Sequence, residues 1–109
     1  MDLKNKKCQP CDGKTKPLNP DAAAMLRAEV PKWKIRKDAP RLWREYTFKD
    51  FMRAIKFVNK VAEIAEAEGH HPDIHIHYKL VKLVLWTHDI DGLSENDFIL
   101  AAKLDEFNE

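Results

Sequence analysis

Apolar residues recur along the chain at helical and at alternating spacings, and the changes from one to the other mark out seven elements. Asn19 is a fitting N-cap with Pro20 at the first helical position, and Ala22, Met25, Leu26 and Val30 then keep one apolar face until Pro31. That predicts a short first helix. Trp33 to Lys37 alternates apolar and charged, Asp38-Ala39-Pro40 breaks the run, and Leu42 to Phe48 resumes it with aromatic and β-branched residues, which predicts a hairpin. Thr47 and Asp50 stand in a capping-box-like spacing. Behind them Phe51, Met52, Ile55, Val58, Ala62 and Ala65 follow at helical intervals, giving a long amphipathic helix that ends at Gly69. Ile74, Ile76 and Tyr78 alternate with His75 and His77, and Leu80 to Thr87 is a stronger strand signal, so a second hairpin should turn near Tyr78-Lys79. Ser94, with Asp97 three positions on, caps a last helix in which Leu93 can staple to Phe98 before Ala101, Leu104 and Phe107.

The expected order is therefore α-β-β-α-β-β-α. The fold class is α+β, a four-stranded antiparallel sheet with three helices packed on one face. Trp33, Trp43 or Trp86 would then lie on the open face, where aromatics suit an interface between subunits.

Residues 1–18 carry five Lys, two Pro and almost nothing apolar, so they are expected to form a flexible polar tail ahead of one domain over residues 19–109. Nineteen basic against eighteen acidic residues leave a formal charge of +1, and no whole-chain field draws the protein to nucleic acid or an anionic membrane. The apolar runs fall far short of a bilayer span, and the polar N-terminus has no apolar stretch behind it, so a cytoplasmic protein is expected. Cys8 and Cys11 form a lone C-x-x-C in the tail. The spacing is open to a redox pair, to half a zinc site needing other ligands, or to two reduced thiols.

All five histidines fall between positions 70 and 88. Imidazole exchanges a proton near neutral pH, so two or three such rings can supply acid and base together. His70 and His71 follow the helix-ending Gly69, and Pro72 biases His71 toward an extended conformation, so the two side chains should diverge as a fixed fork. Glu66 lies one helical turn before His70 and could orient it. His88 ends the last strand beside Thr87 and Asp89. His75 and His77 share one strand face at a spacing that would suit a metal, yet a solvated outer face produces the same pattern. Asp97 has a sufficient structural task in capping the last helix. Neither a Gly-rich phosphate loop, a Ser nucleophile elbow nor an H-E-x-x-H zinc helix is present in the sequence.

Taken together, Glu66-x3-His70-His71-Pro72-x5-Tyr78-x9-His88-x8-Asp97 resembles the signature of the pterin-4a-carbinolamine dehydratases. Phe48-Lys49-Asp50-Phe51, Thr87-His88-Asp89 and Gly92-Leu93-Ser94 look similar to the flanks of that family, over a stretch from about Trp33 to Leu104. Trp86 stands where smaller residues are familiar. The resemblance implies dehydration of 4a-hydroxytetrahydrobiopterin to quinonoid dihydrobiopterin, recycling the pterin spent by an aromatic amino-acid hydroxylase. It implies pterin as substrate, no metal or other cofactor, and a homodimer or homotetramer. It also implies His70, His71 and His88 as catalytic residues. Glu66, Pro72, Thr87 and Asp89 would bind or orient, and Tyr78 and Asp97 belong to the motif with roles that could be structural. Two rival classes remain at this stage: a non-catalytic oligomeric interaction module on the same fold, and a metal protein using Cys8, Cys11 and the His75/His77 pair.

Overall fold

Local capping signals decide where most elements begin and end in the computed structural model, which describes residues 3–9, 16–36 and 38–106. Asn19 accepts the Ala22 N–H and Pro20 opens helix α1, Pro20–Arg27. Strand β1 is Lys34–Ile35 and β2 is Leu42–Thr47. Helix α2, Phe51–Glu68, is capped by Asp50, whose carboxylate accepts the Arg53 N–H. Thr47 is thus not the cap, because it still pairs with Leu80 as the last residue of β2. Strands β3, Asp73–His77, and β4, Leu80–Leu85, are joined by the two-residue turn Tyr78-Lys79, with Tyr78 at φ 56°. A short 3₁₀ turn over His88–Ile90 leads to helix α3, Glu95–Asp105.

The strands lie in the order β1-β2-β4-β3 and every neighbouring pair is antiparallel. The register sets Leu42 opposite Leu85, Arg44 opposite Leu83 and Tyr46 opposite Val81, and all six are buried against the helices. Helix α3 is the centre of that layer. Asp97, Phe98, Leu100, Ala101 and Leu104 are all fully buried, with α1, α2 and the turn Leu3–Asn5 packed against the helix.

Three packing details depart from the sequence pattern. Trp33 lies inside the core, because its indole N–H reaches Asp105 at 2.9 Å and the ring can be buried with its one polar group satisfied. Trp43 does take the open face, where Lys34 and Lys82 lie over its ring at 5.3 and 4.9 Å. Helix α2 carries apolar residues on two stripes, and the core takes Ala54, Phe57, Val61 and Ala65. The stripe of Phe51 and Met52 faces outward, with Met52 70 % exposed. Large side chains decide this choice: Phe57 packs at a tilt against Tyr46 and Phe48, with ring centroids 4.5 and 5.0 Å away, which fixes the rotation of the helix. Met25 of α1 likewise points out, while Ala23 and Leu26 point in.

Part of the segment expected to be a tail is packed. Leu3 is 3 % exposed within the core, and residues up to Gln9 run along α3, where the Cys8 and Gln9 N–H groups donate to the side chains of Glu68 and Asn96. Cys8 is a free thiol, and Cys11 lies outside the described residues. Among the described residues no helix is long and apolar enough to cross a membrane.

Candidate active site

The end of α2 aims the histidine doublet. Gly69 adopts a left-handed φ of 68°, and the His70 N–H returns to the Ala65 carbonyl at 3.2 Å, a closure that turns the chain sharply off the helix axis. The turn carries His70 away from the face of Glu66 and towards the start of α3. There its Nε2 lies 2.6 Å from Asp97 Oδ1, in a half-buried contact with a fully buried carboxylate. His71 swings back instead, placing Nε2 2.9 Å from Glu66 Oε1 in an exposed pair. Glu66 therefore orients His71 and not His70; the left-handed residue breaks the one-turn spacing on which the expected Glu66–His70 contact depended.

Asp97 is the hub of a buried network. Its Oδ2 accepts the Ser94 N–H at 3.0 Å, which caps α3, and the Thr87 hydroxyl at 2.9 Å, while Thr87 Oγ1 and Ser94 Oγ are 2.7 Å apart. An ionised carboxylate accepts only, and all its partners here can donate. The proton on His70 therefore sits on Nε2, and Nδ1 is left to accept or deliver a proton elsewhere. Thr87 is thus a structural link between β4 and α3 as well as part of the wall, and its N–H also bridges to the Gly92 carbonyl at 2.8 Å.

His88 is held by a third means. Its ring stacks on Trp86 with centroids 3.8 Å apart and planes 24° from parallel. Trp86 is itself pinned by a hydrogen bond from Nε1 to Asp73 at 3.2 Å and by the Arg41 guanidinium 3.5 Å from its ring. Sequence reading places His88 at the strand end; in fact β4 stops at Leu85 and His88 starts the 3₁₀ turn, which lifts it into solvent reach. If the stack orients His88, its ring protons should resonate upfield in wild-type protein. They should move to ordinary positions in Trp86→Ala while Trp86→Phe retains part of the shift, and two-dimensional NMR of the histidine ring protons checks this.

His70, His71 and His88 converge on one open depression of about 420 Å³, whose walls also include Trp86, Thr87 and Asp89. Cys8, Gln9, Glu68, Gly69 and Asn96 complete the lining; the sequence singled out Cys8 only as half of a C-x-x-C and gave no sign of Gln9, Glu68 or Asn96, which meet it through the docking of the N-terminal segment. Glu66, Pro72, Tyr78 and Asp97 do not line it. Tyr78 is an exposed turn residue, Pro72 precedes β3, and Asp97 acts from beneath through His70. Burial works against the Glu68 carboxylate, yet the Cys8 N–H and Lys103 outweigh it and hold its pKa below the ordinary value. His75 and His77 are exposed on β3, and no group of three metal-ligating side chains gathers among the described residues. The arrangement offers titratable rings with separately fixed orientations around a space large enough for a bicyclic heterocycle.

Known proteins with this sequence pattern agree on one chemistry. The sequence model for pterin 4 alpha carbinolamine dehydratase matches residues 16–107. A protein of Halorhodospira halophila with a provisional name as a pterin-4-alpha-carbinolamine dehydratase is 46 % identical over 96 % of this chain and 96 % of its own length. Pterin-4-alpha-carbinolamine dehydratase 2, mitochondrial, of Arabidopsis thaliana is 44 % identical over 96 % of this chain and 58 % of its own length. Among solved structures, a transcriptional coactivator/pterin dehydratase from Brucella melitensis superposes with a TM-score of 0.79 at 27 % identity, covering 84 % of this chain and 97 % of that one.

Proposed function

This chain belongs to the pterin 4 alpha carbinolamine dehydratase family and is a lyase, and from that premise we propose that it dehydrates 4a-hydroxytetrahydrobiopterin to quinonoid dihydrobiopterin by histidine acid–base catalysis. The observation that carries the mechanism is the convergence of His70, His71 and His88 on one depression, with His70 clamped by buried Asp97. The C4a–O bond breaks as an imidazolium protonates the leaving hydroxyl, which departs as water. The N5–H proton passes to a neutral imidazole, and its electron pair forms the C4a=N5 double bond. Acid and base are thus both imidazoles, and the step calls for no metal or other cofactor.

His70 and His88 take the proton-transfer roles. His70 exchanges its proton at Nδ1, since Nε2 is committed to Asp97, and the His88 ring reaches the same space from the opposite segment of chain. His71, oriented by Glu66, holds the substrate; Thr87 and Asp89 contact its ring or hydroxyl. The product is an oxidised pterin that a reductase must restore, which fits a role in recycling the pterin of an aromatic amino-acid hydroxylase in the cytoplasm. The outward stripe of Phe51 and Met52 on α2 supports assembly as a homodimer or homotetramer.

In a coupled hydroxylase reaction that generates the 4a-hydroxy pterin, purified protein is expected to accelerate loss of its absorbance in proportion to enzyme added. Decay at the uncatalysed rate at all protein concentrations would overturn the assignment.

A further inference from the structure

The segment Leu3–Gln9 is built into one wall of the site, and the reaction as described makes no use of it. Leu3 anchors it in the core. Lys4 and Lys6 pair with Glu106 and Glu95 at 3.2 and 3.0 Å, contacts too exposed to fix its path alone. Its register is set at the other end. The Gln9 N–H donates to Asn96 Oδ1 at 2.9 Å, and Asn96 Nδ2 returns a bond to the Gln9 carbonyl at 2.6 Å. The Cys8 N–H donates to Glu68 Oε1 at 2.9 Å. Asn96 and Glu68 are side chains of α3 and α2, beside Asp97 and Gly69, so the strap is tied to the same two helix ends that aim His70.

We propose that this strap is the part of the binding site that reads the substituent carried by the pterin ring, with Gln9 as a specificity-determining residue. The proposal rests on the dehydratase reading above. Proton transfer needs groups that change charge near neutral pH, and the histidines supply them. The strap offers groups that do not. The Gln9 amide never titrates, and the Cys8 thiol is pushed up to about 12 by burial and by the charges of Glu68 and Asp97, so it stays protonated. Neutral amide and thiol groups suit the hydroxyls of a ring substituent, the portion of the substrate in which no bond changes. The carboxylate of Glu68 is already engaged by the Cys8 N–H and Lys103, and the Cys8 thiol by the Asn96 carbonyl at 3.6 Å, whereas the exposed Gln9 amide makes a long 3.4 Å bond to the Lys7 carbonyl and can turn to meet a hydroxyl.

The test compares steady-state dehydration of 4a-hydroxy pterins bearing a 6-methyl and a 6-dihydroxypropyl group. Gln9→Ala, which leaves Leu3 in the core, is expected to raise KM for the dihydroxypropyl substrate about five- to tenfold, the effect of one lost hydrogen bond, with kcat and the methyl substrate changed by less than about twofold. Equal changes for both substrates, or none, overturn the proposal. If wild-type protein dehydrates neither substrate, the reaction fails and the strap is judged separately. Saturating tetrahydrobiopterin should also shift the side-chain amide resonances of Gln9 in ¹⁵N-edited NMR, and unchanged Gln9 resonances alongside shifted histidine resonances overturn the strap as a wall of the site.

Discussion

Asp97→Ala is expected to cost more stability than any other single change near the site, and to lower activity as well. The carboxylate is fully buried and accepts from His70, Thr87 and the Ser94 N–H. Its loss removes the cap of the central helix, leaves two buried donors without an acceptor and frees His70. Removing one partner of a buried charged network costs about 3–5 kcal/mol, a large share of the roughly 5–15 kcal/mol that holds a domain folded. Thermal unfolding should fall by on the order of 10–20 °C. Asp97→Asn separates the two roles. Its one acceptor can serve the Ser94 and Thr87 side, which keeps the cap, but its NH2 then faces His70 Nε2 and forces the proton to Nδ1. The Asn variant should therefore melt nearer to wild type while kcat drops about 10²-fold or more. An Asn variant with unchanged kcat would show that the orientation of His70 is immaterial.

His88→Ala is expected to have a large effect on catalysis and almost none on stability. The ring is exposed on its turn and stacks on Trp86, so its removal should shift stability by no more than about 0.5 kcal/mol. The proposed mechanism makes it one of two proton-transfer groups, so its loss should lower kcat about 10²- to 10⁴-fold. His70→Ala should lower kcat comparably but also destabilise by about 1–3 kcal/mol, because Asp97 loses a buried donor. The double variant should be little slower than the slower single one, since acid and base act as a unit. Multiplicative losses, measured as kcat with folding followed by circular dichroism, would mean that the two rings serve independent steps.

The fold was legible where local chemistry decides it. Asn19, Gly69 and the Ser94/Asp97 pair mark helix ends through bonds to residues within one turn, and Tyr78-Lys79 closes a hairpin whose strands alternate on both sides. The histidines that line the depression were also legible, because they cluster. What could not be read depends on partners far apart in the chain. The exchange of carboxylates, Asp97 to His70 and Glu66 to His71, follows from the left-handed Gly69 together with the place where α3 begins. Trp33 went inward because Asp105, far along the chain, met its indole N–H. The stack of His88 on Trp86 needs Asp73 and Arg41 from two other segments, and the strap needs Asn96 and Glu68. Periodicity in α2 gave two apolar stripes without saying which one Phe57 would turn inward.

The most direct test of acid–base dehydration by these histidines is the stopped-flow decay of 4a-hydroxytetrahydrobiopterin with wild-type protein and with the His70→Ala, His88→Ala double variant, both shown to be folded. The account predicts strong acceleration by wild type and decay close to the uncatalysed rate with the double variant. Equal acceleration by the two proteins would contradict it.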